Sequence, residues 1–217
     1  MHHLISKIPN YRSVKNIIFD FGGVICNIDI KRTEKKFKEL GIRFFNGSYA
    51  VSERDDLFRK FERGMMTAQE FRNILKNYFV YPVSDKEIDD SWNALLLDIP
   101  ESRIRLLENL VVNYRIFLLS NSNEIHYNKY LSDFQKKFDY PDFEALFEKA
   151  YFSFQIHLQK PGIEVFEYVL HESNLQSQET FFIDDSIQHV EGARKAGILA
   201  YHLKIMEGEQ ILDLFES

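Results

Sequence analysis

The chain predicts an α/β fold: a Rossmann-like, three-layer core around a parallel sheet, with a helical cap inserted into it. Three observations carry that expectation. The run Ile17-Ile18-Phe19 stops at Asp20 and is followed by Gly22 and Gly23, as a buried strand entering a tight loop would be. Two later runs, Ile116-Phe117-Leu118-Leu119 and Phe181-Phe182-Ile183, repeat the pattern and end in Ser120-Asn121 and Asp184-Asp185. Between the first strand and the second, the pattern is helical.

Taken in order, residues up to Val14 read as an irregular arm, and residues 16–19 as the first strand. Residues 27–100 read as wholly helical. Thr67 with Glu70 and Ser84 with Glu87 have capping-box spacing, in which a hydroxyl and a carboxylate satisfy amides at a helix start. Gly41, Gly47, Gly64 and Pro82 punctuate these helices. After Pro100, helix and strand alternate. A stripe at Ile104, Leu107, Leu110 and Tyr114 leads into the strand 116–119, and a helix is expected over 124–136. Ala150-Tyr151-Phe152-Ser153 precedes Lys160-Pro161, and a helix over 187–196 stops at Gly197 before a last strand near Ala200. The core is therefore expected in residues 1–26 and 101–217, with the cap in 27–100.

Composition excludes several classes. A net charge of −6 leaves no electrostatic footprint for nucleic acid. The densest basic group, Lys31-Arg32 with Lys35, Lys36 and Lys38, is interrupted by Glu34 and Glu39, as a solvated helix face would be. The single cysteine, Cys26, allows no intrachain disulfide, suits a reducing cytoplasm and reads as core filler rather than as a catalytic thiol. No signal sequence and no apolar run of membrane-spanning length are apparent. His157 and His202 lack partners at metal-ligand spacing, which argues against zinc. The twenty phenylalanines fall at helix and strand periodicity and read as core.

Open α/β sheets bind ligands outside the carboxyl ends of their strands. Those ends here supply a carboxylate nucleophile (Asp20), a hydroxyl and an amide (Ser120, Asn121), a cation (Lys160) and an acidic pair (Asp184, Asp185). The glycines beside Asp20 let backbone amides approach an anion. Carboxylate clusters beside a lysine and a hydroxyl suit a phosphate bridged to a divalent cation.

In this order, Phe19-Asp20-Phe21-Gly22-Gly23-Val24, Leu119-Ser120-Asn121-Ser122-Asn123, Lys160-Pro161 and Asp184-Asp185-Ser186 resemble the haloacid dehalogenase superfamily over residues 15–203. The wording is most similar to the branch of glucose-1-phosphate phosphatase-like enzymes and the N-terminal domains of soluble epoxide hydrolases. The resemblance implies a Mg²⁺-dependent phosphatase acting on a small phosphorylated metabolite, plausibly a sugar phosphate. Asp20 would be the nucleophile, and Gly23, Ser120 and Asn121 would contact phosphate. Lys160 would stabilise the phosphoryl group and orient Asp20. Asp20, the Gly22 carbonyl, Asp184 and Asp185 would hold Mg²⁺, with Asp185 ranked above Asp184 as a direct ligand. His126, a turn after Ser122, would face the site mouth and touch substrate, or else lie on the surface. A helical cap would exclude water and contact the rest of the substrate through residues drawn from Phe44, Phe45, Phe58, Arg59, Arg63 and Trp92, although each aromatic reads more readily as packing within the cap's own core.

Two departures matter. Most phosphatases of the superfamily carry an acid/base aspartate two residues after the nucleophile, where this chain has Gly22. General acid catalysis is worth ~10²–10⁴-fold, so rate should depend steeply on leaving-group pKa, aryl and anomeric phosphates leading. His189 stands where the branch usually has an asparagine that steadies the Asp184 loop. Alternatives of the same fold are a 2-haloacid dehalogenase, disfavoured by the acidic pair, a phosphomutase, and a catalytically weak binding or regulatory protein.

Overall fold

The structure, a computed structural model, describes residues 3–4, 11–43 and 51–216. The chain starts with β1 (His3–Leu4) and β2 (Asn16–Phe19), then runs through α1 (Ile30–Glu39), α2 (Val51–Glu62), α3 (Ala68–Lys76), α4 (Asp85–Trp92) and α5 (Glu101–Leu110). It continues with β3 (Arg115–Ser120), α6 (Glu124–Lys137), β4 (Lys149–Phe152), α7 (Ser153–Ile156) and α8 (Ile163–Glu172). The last elements are β5 (Thr180–Asp184), α9 (Ile187–Lys195), β6 (Leu199–His202) and β7 (Phe215–Glu216). Among the described residues no helix is long and apolar enough to cross a membrane.

Five parallel strands form the main sheet in the order β4-β3-β2-β5-β6. β2 sits at its centre and is buried on both faces, which is why its sequence reads as continuous rather than alternating apolar. Ile17 and Phe19 join the face packed by Leu107 and Leu110 of α5 and Tyr130 and Phe134 of α6. Ile18 joins the face packed by Val165, Phe166 and Val169 of α8 and Ala193 of α9. Each such fully buried apolar side chain contributes roughly 1.5–3 kcal/mol. The arm expected up to Val14 is not wholly irregular, since His3–Leu4 pairs antiparallel with Phe215–Glu216, each segment satisfying the other's backbone groups.

Helices α1–α4 pack around a second apolar cluster of Phe37, Phe61, Phe71, Leu75, Ile88 and Trp92. Both expected capping boxes are present, at Thr67 and Glu70 and at Ser84 and Glu87. The two segments joining this bundle to the sheet pair with each other: Asn27 N–H donates to the Asp98 carbonyl, and Leu97 N–H to the Asn27 carbonyl, at 2.9 and 3.0 Å. The bundle therefore rests on a paired hinge beyond the carboxyl end of β2. Gly47, Phe44 and Phe45 lie outside the described residues.

Candidate active site

Strand register assembles the site. Phe19 is level with Ile183 in β5 and with Leu118 in β3, so the next residue, Asp20, comes level with Asp184, and Ser120 ends the neighbouring strand. Asp20 N–H continues the ladder to the Ile183 carbonyl at 2.9 Å. From β4 the chain returns through α8 to the opposite side of β2, which makes this edge a topological switch point where ligands bind.

Lys160 is the hub. Its Nζ donates to Asp20 Oδ1 at 2.6 Å and to Asp184 Oδ2 at 2.7 Å, with its side chain fully enclosed. The Asn121 side chain holds the Lys160 backbone from both sides, donating to its carbonyl at 2.9 Å and accepting from its N–H at 3.0 Å. The Asn121 amide thereby ties the lysine loop to the end of β3. Ser120 Oγ, by contrast, takes no hydrogen bond among the described residues.

Asp184 is saturated. Oδ1 accepts from Ser186 N–H at 2.8 Å, Oδ2 from Lys160, and His189 Nδ1 lies 3.0 Å from both oxygens. His189 thus helps to hold the Asp184 carboxylate in place. Burial opposes the Asp184 charge, but Lys160 and His189 outweigh it and hold the carboxyl below its ordinary range. Asp185, ranked above Asp184 as a direct metal ligand, is half-buried, and its backbone carbonyl accepts from His202 Nε2 at 3.0 Å.

A divalent cation fits these residues. Asp20, Asp184 and Asp185 bring carboxylate oxygens within 4.8 Å of one another, all hard ligands suited to Mg²⁺. They set three carboxylates against one lysine. Burial, opposed by Lys160 and reinforced by Asp184, pushes Asp20 up to about 7, and burial with the Asp184 charge pushes Asp185 up to about 6. A cation would relieve both. The glycines keep the cradle open. Gly23 has φ +79°, and a Cβ there would overlap Asp185 Oδ2. Cys26 bonds Phe21 and Gly23, so the Gly22 carbonyl is not an acceptor in that turn. Cys26 itself is buried, and burial pushes its thiol up to about 12.

The α1–α4 bundle meets the sheet core along a seam beside this cluster. Trp92 Nε1 donates to Asn123 Oδ1 at 3.2 Å. The Trp92 ring stacks on His126, with centroids 5.1 Å apart and planes 6° apart. His126 Nδ1 donates to Asn93 Oδ1 at 2.9 Å, and burial drives the ring down to about 3, so it stays neutral. His126 is therefore neither at an open mouth nor on the surface; it joins cap to core, which its sequence position could not reveal. Ser153 Oγ donates to the Glu62 carbonyl at 2.5 Å and accepts from Ser122 N–H at 2.9 Å. The Arg63 carbonyl accepts from His157 Nδ1 at 2.8 Å, and its guanidinium reaches the His157 carbonyl at 3.4 Å. Phe58 packs into the cap cluster, 4.8 Å from Trp92. Arg59 and Arg63 line a cleft of about 670 Å³ shared with Lys160 and Gly162, whose wall is partly neutralised by Asp56 beside Arg59 and Lys60. Glu62, Asn123, Ser153 and His202 are the seam and support residues that strand-end reasoning passed over.

Comparison with known proteins agrees with this geometry. A D-ribitol-5-phosphate phosphatase of Bacteroides thetaiotaomicron is 27% identical over 189 residues, 85% of this chain and 89% of that one. A crystal structure of a haloacid dehalogenase family enzyme of the same organism, in complex with magnesium and inorganic phosphate, is 36% identical with a TM-score of 0.81, covering 94% of this chain and 100% of that one. A haloacid dehalogenase-like hydrolase of Porphyromonas gingivalis is 27% identical with a TM-score of 0.78, covering 87% and 90%. The family profile described as haloacid dehalogenase-like hydrolase matches residues 17–202. With the sheet order, the strand-end aspartate and the lysine hub in place, the chain belongs to the haloacid dehalogenase-like hydrolases.

Proposed function

We propose that the protein is a Mg²⁺-dependent phosphatase hydrolysing a small phosphorylated metabolite, a sugar or polyol phosphate, through an aspartyl-phosphate on Asp20. The observation that carries this reading is the Asp20–Lys160–Asp184 triad with Asp185 beside it and the unpartnered Ser120 hydroxyl opposite. The magnesium–phosphate complex of the 36%-identical relative and the ribitol-phosphate activity named for the other relative support it.

A carboxylate oxygen of Asp20 attacks phosphorus as the bond to the substrate alcohol breaks. Water then attacks the aspartyl-phosphate, releasing inorganic phosphate and restoring Asp20. Lys160 holds Asp20 and offsets charge on the transferring group, and Ser120 donates to a phosphoryl oxygen. Mg²⁺, held by Asp20, Asp185 and the Gly22 carbonyl, would supply the remaining charge neutralisation. Residues 27–100 act as the cap that closes over the substrate. No acid stands two residues after Asp20: Ile28 lies 3.3 Å from where a Gly22 side chain would begin. The leaving alkoxide takes its proton from water or from the substrate itself.

Turnover of p-nitrophenyl phosphate with Mg²⁺, abolished by exhaustive chelation, is the expected result. No turnover with Mg²⁺, or full turnover after chelation, would overturn the reading.

A further inference from the structure

Two polar groups at the cap–core seam have no protein partner among the described residues. Asn123 is fully buried, and its orientation is settled by two donors, His126 N–H and Trp92 Nε1, that both need Oδ1. Its Nδ2 therefore points the other way, where nothing accepts from it. Glu62, at the end of α2, is half-buried with no cation or donor on its carboxyl, and burial alone pushes it up to about 7. Their backbones meet at Ser153. Ser153 Oγ bonds the Glu62 carbonyl and also Ser122, the residue before Asn123.

Buried polar groups are normally satisfied, and leaving the enclosed Asn123 Nδ2 unpaired costs stability. A hydroxyl can donate to a carboxylate or accept from an amide, so a polyhydroxyl chain carries partners for both groups. The seam adjoins the Ser120–Asn123 loop, so a chain extending from a phosphate at Asp20 toward the cap would bring hydroxyls here. We propose that Glu62 and Asn123 form a hydroxyl-recognition subsite for a polyhydroxyl chain, which rests on the phosphatase reading above. The hydroxyl enters while the cap is open and is enclosed as it seats.

The test compares kcat/KM for ribitol 5-phosphate and for n-pentyl phosphate, which lacks the hydroxyls, with p-nitrophenyl phosphate reporting basal chemistry. Sites built to hydrogen-bond a hydroxyl discriminate strongly against analogues lacking it, so the wild type should prefer the ribitol ester by about 10³-fold or more. Glu62→Ala should cut that preference about 100-fold, and Glu62→Gln by less, since an amide still accepts. Asn123→Asp keeps the acceptor for Trp92 and removes the donor, and should cut it likewise. Turnover of p-nitrophenyl phosphate should stay within threefold for all three. An unchanged preference, equal losses on every substrate, or a wild type without preference overturns the subsite while leaving the phosphatase reading intact. Failure of the wild type on p-nitrophenyl phosphate with Mg²⁺ overturns both.

Discussion

The lysine hub and the cap–core seam lie side by side and obey opposite rules. Around Lys160 the polar contacts are doubled: two carboxylates on one ammonium, three donors on Asp184, two bonds from Asn121 to one backbone unit. At the seam, Asn123 Nδ2 and the Glu62 carboxyl are left without a partner among the described residues. The contrast separates rigidity from recognition. Reacting groups must be held in place before substrate arrives, so the protein supplies their partners. Groups that select a leaving alcohol keep capacity in reserve for it.

Breaking the hub should have the largest effects. Asp20→Asn should reduce p-nitrophenyl phosphate turnover to the level of Mg²⁺-containing buffer, with the fold intact by circular dichroism; hydrolysis retained in a clean preparation would remove Asp20 as nucleophile. Lys160→Met should lose both rate and stability. Removing one partner of a buried ion pair costs about 3–5 kcal/mol, because Asp20 and Asp184 stay enclosed without a counter-charge. Their protonation relieves that cost, so the drop in melting temperature should shrink as pH falls; a pH-independent drop would mean lost packing instead.

The acidic pair sharpens the comparison within the hub. Asp185→Ala should raise the Mg²⁺ concentration needed for half-maximal activity more than Asp184→Ala does, while Asp184→Ala should lower the melting temperature more. Reversed ranks would exchange their roles. Gly22→Asp should flatten the dependence of rate on leaving-group pKa, since a restored donor is worth up to ~10⁴-fold on poor leaving groups. The backbone does not forbid it: Gly22 is outside the positive-φ region, and only the tip of Ile28 must shift. An equally steep Brønsted series in the variant would mean that the new carboxyl does not reach the leaving oxygen.

The seam gives the smallest effect, with the opposite sign. Glu62 keeps its proton in the folded protein up to about 7 but loses it near 4.5 when unfolded, so the folded state binds more protons between those values. Its stability contribution therefore falls as pH rises through that window. Glu62→Gln should raise the melting temperature at pH 8 and change it little at pH 5; an equal gain at both would show that ionisation is not the cause.

Much of the hub was legible in the sequence because strand ends are local. An apolar run that stops at Asp20, and another that stops at Asp184-Asp185, announce themselves through hydrophobic periodicity and the residues that break it. Gly23 was readable as a close approach, and both capping boxes follow from a three-residue spacing. The roles of Asn121 and His189 were not readable, because an amide or imidazole beside a carboxylate can face ligand or protein and only the fold decides. His126 makes the same point: its place on a first helical turn was plain, but its burial depended on Trp92, contributed by α4 of the helical bundle. Sequence by itself determined the sheet, the helical insertion and the chemistry gathered at the strand ends. Tertiary structure alone decided which of those groups are spent on one another and which, like Glu62 and Asn123, are left unpaired, because satisfaction of a hydrogen bond depends on a partner distant in the chain.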